Sequence, residues 1–330
     1  MNPARANGDY TLQPGREIIR FLDPQGDLLQ TMTTADNQGY PAGIDQSRRF
    51  LFDNADIRGE SVRLNQAYRE VLGAHQYAPG VSRVLGEFLA AAVLLSGNLK
   101  FEGKLILQAR SERQIPLLMV ECNQALEVRA IARGAQEATA TGFEQLLGGG
   151  QLAITIDPDQ GNRYQGIVQL EENSLAQSLD AYFTHSEQLG TRLWLAADGN
   201  RAAGLLLQQL PEEQVTAADE RAAQWENVCT LAATIVPGEL LALEPSSLLH
   251  RLYHQEPVRL FEARPVACRC SCSRERTLNA LSFLPKPEVI ELLEELGSIT
   301  MDCEFCNQQY RFTRDDLAGL LGDGRDRTLH

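Results

Sequence analysis

Cys270-Ser271-Cys272 and, after a gap of thirty residues, Cys303-Glu304-Phe305-Cys306 give the chain four soft ligands in two close pairs. Thiolate sulfur binds Zn2+ tetrahedrally, and two short hooks brought together across a loop supply four ligands with little rearrangement of either hook. The stretch between the hooks must therefore fold back on itself. Cys268 precedes the first hook in the same alternating frame, so that run holds three thiols, and spacing does not say which two bind. Arg269, Arg274 and Arg276 crowd the same run. Neighbouring cations favour thiolate, the form that binds metal and the form that oxidises. Adjacent sulfurs within a hook are already close, so each pair could close into a disulfide if an oxidant displaced the metal. The cluster thus reads either as a permanent zinc staple or as a redox switch.

The rest of the chain must position these thiols. Its 330 residues allow two or three modest domains, and 43% apolar with 22% charged residues suits a globular protein. A net charge of -14 argues against a phosphate-binding role, because nucleic-acid affinity comes largely from Lys and Arg. Residues 266–330 are themselves acidic, with eight basic and eleven acidic side chains, which disfavours a nucleic-acid zinc finger. The first twenty residues mix Asp9, Pro14, Arg16 and Arg20 and show no secretory signal, so a cytoplasmic location is expected. The longest apolar run, residues 88–95, is too short to span a bilayer, and no membrane role is expected. Five of the seven cysteines lie within forty residues. In a reducing compartment these are metal ligands rather than a standing disulfide framework. Cys122 and Cys229 stand apart and read as small buried hydrophobes.

Four segments follow from the composition. Residues 1–47 carry Asn, Gln, Asp, Gly and Pro throughout and read as a flexible N-terminal extension. Residues 48–211 read as an α+β core domain, with strands expected at 49–53, 61–64, 104–110, 126–132, 152–156, 164–170, 192–197 and 204–209. Arg58-Gly59 and Asp198-Gly199 read as turns. Helices are expected at 81–95 and 175–186. Residues 212–265 read as a helical linker, with helices at 218–235 and 245–253. Its Leu231, Ile235, Leu240, Leu241, Leu248, Leu249 and Leu252 are too many to leave in water, so the linker should pack on the preceding sheet. Residues 266–330 form the small four-cysteine zinc domain.

No enzyme assignment has residues to rest on. Gly148-Gly149-Gly150 precedes a strand and lacks the strand-to-helix context of a phosphate loop. His250 and His254 have the spacing of a zinc-protease helix, but Arg251 stands where the general-base Glu belongs. There is no Gly-x-Ser-x-Gly elbow.

The strings Cys270-Ser271-Cys272-Ser273-Arg274-Glu275-Arg276, Met301-Asp302-Cys303-Glu304-Phe305-Cys306 and Tyr310-Arg311-Phe312 resemble the 33 kDa chaperonin family of redox-regulated holdases. The resemblance also takes in Arg49-Phe50-Leu51-Phe52, Arg58-Gly59-Glu60, Asn98-Leu99-Lys100-Phe101 and Arg163-Tyr164-Gln165-Gly166. Further on it includes Tyr182-Phe183, Ser186-Glu187-Gln188-Leu189, Thr191-Arg192-Leu193 and Arg251-Leu252-Tyr253-His254, so that it spans about residues 48–312. It implies one Zn2+ in the reduced form on Cys270, Cys272, Cys303 and Cys306, and the disulfides Cys270–Cys272 and Cys303–Cys306 on oxidation. Cys268 departs from the pattern and leaves the choice of disulfide partner open. The resemblance further implies an ATP-independent chaperone for unfolding proteins, a metastable linker and a homodimer when oxidised. Two other readings of the thiols remain: a constitutively zinc-stapled interaction module, and a thiol oxidoreductase using Cys303 and Cys306. The second of these lacks a thioredoxin-like βαβ pattern around the pair.

Overall fold

The computed structural model describes residues 19–20, 45–97, 102–171, 173–187, 190–213, 215 and 217–322. Most of the expected extension, the string Asn98-Leu99-Lys100-Phe101, and Gln188 and Leu189 lie outside them.

The chain is α+β. β1 (Ile19–Arg20), β2 (Gln46–Phe52) and β3 (Ile57–Leu64) precede α1 (Gln66–Gly73) and α2 (Pro79–Ser96). β4 (Gly103–Arg110), β5 (Leu117–Asn123) and β6 (Glu127–Arg133) form an antiparallel meander. After α3 (Phe143–Leu147), β7 (Gly150–Pro158) and β8 (Tyr164–Leu170) extend it on the β4 side. α4 (Leu175–Tyr182) leads to β9 (Thr191–Ala197) and β10 (Ala202–Gln209). α5 (Ala218–Ala232), α6 (Pro237–Ala242) and α7 (Pro245–Tyr253) then give way to the short strands β11 (Val258–Leu260), β12 (Arg264–Pro265) and β13 (Ala267–Cys268). The cysteine unit holds α8 (Arg274–Leu281), α9 (Lys286–Leu296), the hairpin β14 (Ile299–Asp302) to β15 (Gln309–Phe312), and α10 (Ala318–Gly322).

One sheet runs β1-β11-β2-β3-β10-β9, with β12 also paired to β2, and all its pairings are antiparallel. The other runs β13-β6-β5-β4-β7-β8 and is antiparallel except where β13 joins β6. α2 lies between the two. It starts with Pro79, whose fixed φ suits a first turn, and is apolar on nearly every side because both sheets pack on it. By length and composition it could cross a membrane, yet 83% of that window is buried, as befits a core helix. Leu105, Leu107 and Ala109 of β4 and Leu118, Val120 and Cys122 of β5 alternate inward with period two and share this core. Each buried Leu contributes about 1.5–3 kcal/mol.

The opposite face of the first sheet carries a second core. Phe50, Phe52, Ile57, Leu205 and Leu207 meet Val228, Leu240, Leu241, Leu248, Leu249, Leu252 and Tyr253 of the three helices that follow. The linker leucines therefore cover a sheet, as their number demanded, with Leu231 and Ile235 at the margin.

α7 spans the expected residues and α5 stops three residues early, at Ala232. The turn at Asp198-Gly199 is present, with Gly199 at φ 88. Arg58-Gly59 is not a turn: Gly59 sits inside β3 opposite Phe50, and a Cβ there would lie 2.0 Å from the ring. The glycine serves close packing, a use that local sequence does not distinguish from chain reversal.

Two half-buried acids set a pH dependence. Burial pushes the Glu87 carboxyl of α2 up to about 7 against the pull of Arg83. Burial likewise lifts Asp180 of α4 to about 6, although Leu193 N–H and Arg192 oppose it. Both groups hold a proton in the folded state that the unfolded chain gives up near pH 4. Their contribution is complete below about pH 4 and disappears as pH rises through 6 to 7. The thermal midpoint of the reduced protein is expected to fall between pH 5 and pH 8, by on the order of 2–3 kcal/mol of stability. Glu87→Gln should flatten the slope in calorimetry; an unchanged slope would remove Glu87 as its source.

Candidate metal centre

Each hook is held by ordinary local chemistry. Ser273 follows the first hook directly and caps α8, its Oγ accepting from Arg276 N–H at 3.2 Å, so the chain turns sharply after Cys272. The second hook is the tip of the β14–β15 hairpin. Cys303 N–H donates to Gln308 O at 2.9 Å, Asn307 N–H donates to Cys303 O at 2.8 Å, and Asn307 takes a left-handed φ of 56. Asn tolerates that region better than most residues.

The two hooks meet. Cys270 Sγ lies 3.6 Å from Cys303 Sγ, Cys272 Sγ lies 3.5 Å from Cys306 Sγ, and all four sulfurs fall within 4.8 Å of one another. Ligands about 2.3 Å from a tetrahedral Zn2+ would themselves be about 3.8 Å apart. A donor set of four thiolates at this spacing fits such an ion. Among the described residues it is the one group of His, Cys, Asp or Glu gathered closely enough for a metal. Cys268 is outside it. It lies in β13, packs against the α2 core, and burial lifts its thiol to about 11. Cys122 is fully buried in that core, while Cys229 is half-buried beside the linker helices; burial lifts both to about 12. His250 and His254 lie on the exposed side of α7 with ring centroids 6.3 Å apart.

The cation at the sulfurs is not among the arginines that crowd the first hook. Arg269 pairs with Glu127 at 3.1 Å, Arg274 with Asp316 at 2.8 Å, and Arg276 donates to Ser271 O at 2.7 Å. Arg129 of β6 reaches Cys270 Sγ at 3.7 Å and lies 4.1 Å over the Phe305 ring, with Glu121 fixing its other side at 2.9 Å. Burial opposes a Cys270 thiolate. The Cys272 amide, Arg129 and the neighbouring sulfurs outweigh it and bring the thiol down to about 7. Burial and adjacent sulfurs hold Cys306 high, and burial first of all holds Cys303 above its ordinary value. Tyr310 OH donates to Cys272 Sγ at 3.2 Å. The strand alternation of residues 127–133 puts Arg129 on one face of β6, but nothing local in the sequence pairs it with a thiol 141 positions away.

Arg129 belongs to a wider seam between the cysteine unit and the α2 core. Arg133 pairs with Glu304 at 2.8 Å, His75 Nε2 meets Glu304 O at 2.7 Å, and Asn307 Nδ2 donates to Ala74 O. Nearly every contact on the cysteine side comes from the second hook. Arg129→Ala is expected to weaken this docking by about 1–3 kcal/mol, the value of a half-buried cation–π contact with a charge-assisted hydrogen bond. Faster amide exchange in residues 304–307, with Arg129→Lys intermediate, would register it; unchanged exchange would show the arginine to be incidental.

The family model described as Hsp33 protein matches residues 45–313. A 33 kDa chaperonin of Pseudomonas syringae pv. tomato is 54% identical over 285 residues, covering 85% of this chain and 95% of its own. One of Azotobacter vinelandii is 53% identical over 284 residues, covering 85% and 96%. The crystal structure of a 33 kDa chaperonin from Thermotoga maritima superposes with TM-score 0.71 at 22% identity, over 84% of this chain and 98% of that one. At that identity the structural match speaks for the fold.

Proposed function

The chain belongs to the Hsp33 family, a chaperone family, and from that premise we propose that it is a redox-regulated, ATP-independent holdase that keeps unfolding proteins from aggregating under oxidative and heat stress. The observation that carries the proposal is the convergence of Cys270, Cys272, Cys303 and Cys306 in a unit whose buried core, among the described residues, is Leu281, Val289, Leu293, Ile299, Phe312 and Leu317. Six buried apolar side chains are too few to hold about fifty residues folded unaided.

In the reduced form the four thiolates hold one Zn2+, which supplies the folding energy the small core lacks. Cys270, whose sulfur has the Arg129 guanidinium beside it, is the first to react. Two thiolates with one peroxide and two protons give one disulfide and two waters, so two disulfides consume two peroxides. Pairing within the hooks, Cys270–Cys272 and Cys303–Cys306, leaves no thiolate to bind metal. The hairpin tip that makes the seam is then rebuilt, and the cysteine unit leaves α1 and β6.

From Cys270 the strain reaches the linker along the backbone. β13, β12 and β11 lie between the site and α7, and Val258 and Leu260 of β11 share the core of the linker helices. Residues 212–265 act as the metastable segment between the 48–211 core and the 266–330 switch. Their release uncovers Phe50, Phe52, Leu205 and Leu207, an apolar face suited to unfolded clients of many sequences. The protein works in the cytoplasm, binds neither nucleic acid nor membrane, catalyses no reaction and pairs as a homodimer once oxidised.

Peroxide-treated protein at a mildly unfolding temperature should suppress aggregation of a denatured client, and reductant should abolish the effect. Equal suppression by the reduced protein would favour the permanently stapled interaction module. A sedimenting species of one chain mass after oxidation would remove the dimer.

A further inference from the structure

β13 is anomalous in its sheet. It is two residues long, it is the one parallel pairing among the described residues, and it forms the outer strand beside the seven-residue β6. Ala267 N–H donates to Leu126 O at 3.2 Å and Arg269 N–H donates to Val128 O at 2.9 Å. Val266 and Cys268, two apart, turn into the apolar core beneath, and Ala267 between them faces out. The segment thus docks as an extended peptide docks on a sheet edge: backbone hydrogen bonds hold it, and alternate side chains fill two apolar positions.

A two-residue pairing does not stay in place by itself. β13 is pinned at both ends: Val266 N–H donates to Asp45 O at 3.0 Å just after β12 joins β2, and Arg269 pairs with Glu127 one residue before Cys270. The second pin is tied to the thiol cluster, and β6 itself carries Arg129, which grips Cys270 and Phe305. One strand therefore holds the switch through a side chain and the short strap through its backbone.

We propose that the β6 edge is a client-binding site which β13 occupies in cis as a pseudo-client, and that loss of the cysteine cluster vacates it for an extended polypeptide segment. The occupant is defined by the one seated there: an extended chain with apolar side chains at alternate positions and no charge on the inward pair, the pattern that an unfolding protein presents. Strand addition at this edge is distinct from capture on the apolar face beneath the linker helices. It rests on the holdase reading but engages another sheet.

Amide exchange on the full chain, followed at Val128, which β13 pairs in register, with client aggregation recorded in parallel, tests it without substitution. Protection is expected in the reduced protein, at least tenfold faster exchange after oxidation, and restored protection in the client complex. Suppressed aggregation with Val128 still protected by β13, or with β6 left exchanging in the complex, overturns the inference while leaving the holdase intact. Failure to suppress aggregation overturns both. As a second arm, the peptide of residues 264–269 carrying Cys268→Ser should bind the oxidised protein at least tenfold more tightly than the reduced protein. Methylation of its nitrogen at position 267 should abolish that preference, because the bond to Leu126 O is lost. Equal binding of the methylated and unmethylated peptides would also overturn the inference. Ala267→Pro, at an exposed position outside the thiol cluster, should lower the peroxide needed for half-maximal client capture severalfold; an unchanged threshold counts against it.

Discussion

Stripping the metal from the reduced protein with a tight chelator is expected to unfold residues 270–321 while both large sheets and α2 remain intact. A structural zinc site supplies on the order of 10–16 kcal/mol of binding free energy at neutral pH, and entire domains are stable by about 5–15 kcal/mol. The cysteine unit has, among the described residues, one hairpin, three short helices and a core of six buried apolar residues, so the metal term exceeds anything its packing provides. The α2 core is a separate cluster many times larger; it meets the cysteine unit through the seam of Arg129, Arg133, His75 and Ala74 and through β13 on β6. Amide exchange should show full loss of protection in β14 and β15, and little change in β4 and β5. Cys303→Ser should reproduce this at ordinary zinc concentrations, since three thiolates and a hydroxyl make a far weaker site. A metal-free protein whose β14–β15 hairpin keeps its protection would mean that the unit folds on its own, and that it cannot act as a metal-dependent switch.

Leu249→Asp is expected to have the next largest effect and to act without any oxidant. Leu249 is fully buried in α7 among the aromatic cluster of Phe50, Phe52 and Tyr253, where the rings of Phe52 and Tyr253 meet edge to face at 5.0 Å. An unpaired carboxylate there costs several kcal/mol and is relieved only if the helix leaves. Leu249→Ala is the milder form, at about 2–5 kcal/mol. Either substitution should leave zinc at one per chain, because the thiol cluster is built from other elements, yet release the linker and give client capture under reductant. Capture that still required peroxide would place the client surface elsewhere than under these helices.

What sequence alone made legible follows from how local each signal is. The cysteine spacings carried the two hooks, because hook geometry is set within a few residues, while the choice of Cys270 and Cys272 over Cys268 came from the family resemblance. α7 was readable to the residue because Pro245 marks its start and its leucines recur at helical spacing. β8 was likewise readable, from a short run with aromatic and β-branched residues. β5, Leu117–Asn123, went unread: Leu-Leu-Met-Val begins as a continuous apolar run without period-two alternation, even though Pro116 marks its start. The seam was invisible for a different reason. Arg129, His75 and Ala74 meet the second hook across more than 170 residues of chain, and pairing at that distance leaves no periodicity. The arginines that composition placed beside the thiols prove to serve Glu127, Asp316 and the Ser271 carbonyl instead. Proximity in sequence located the charge but not its partner.

The central claim is that thiol oxidation and client capture are one event. Zinc release followed with a metal-sensitive dye, in the same cuvette that records light scattering from a denaturing client, measures both as peroxide is added at a mildly unfolding temperature. Scattering is expected to fall in step with the loss of one zinc per chain, and reductant with added zinc is expected to reverse both. Zinc that stays bound while peroxide is consumed, or that leaves without any effect on scattering, would contradict it.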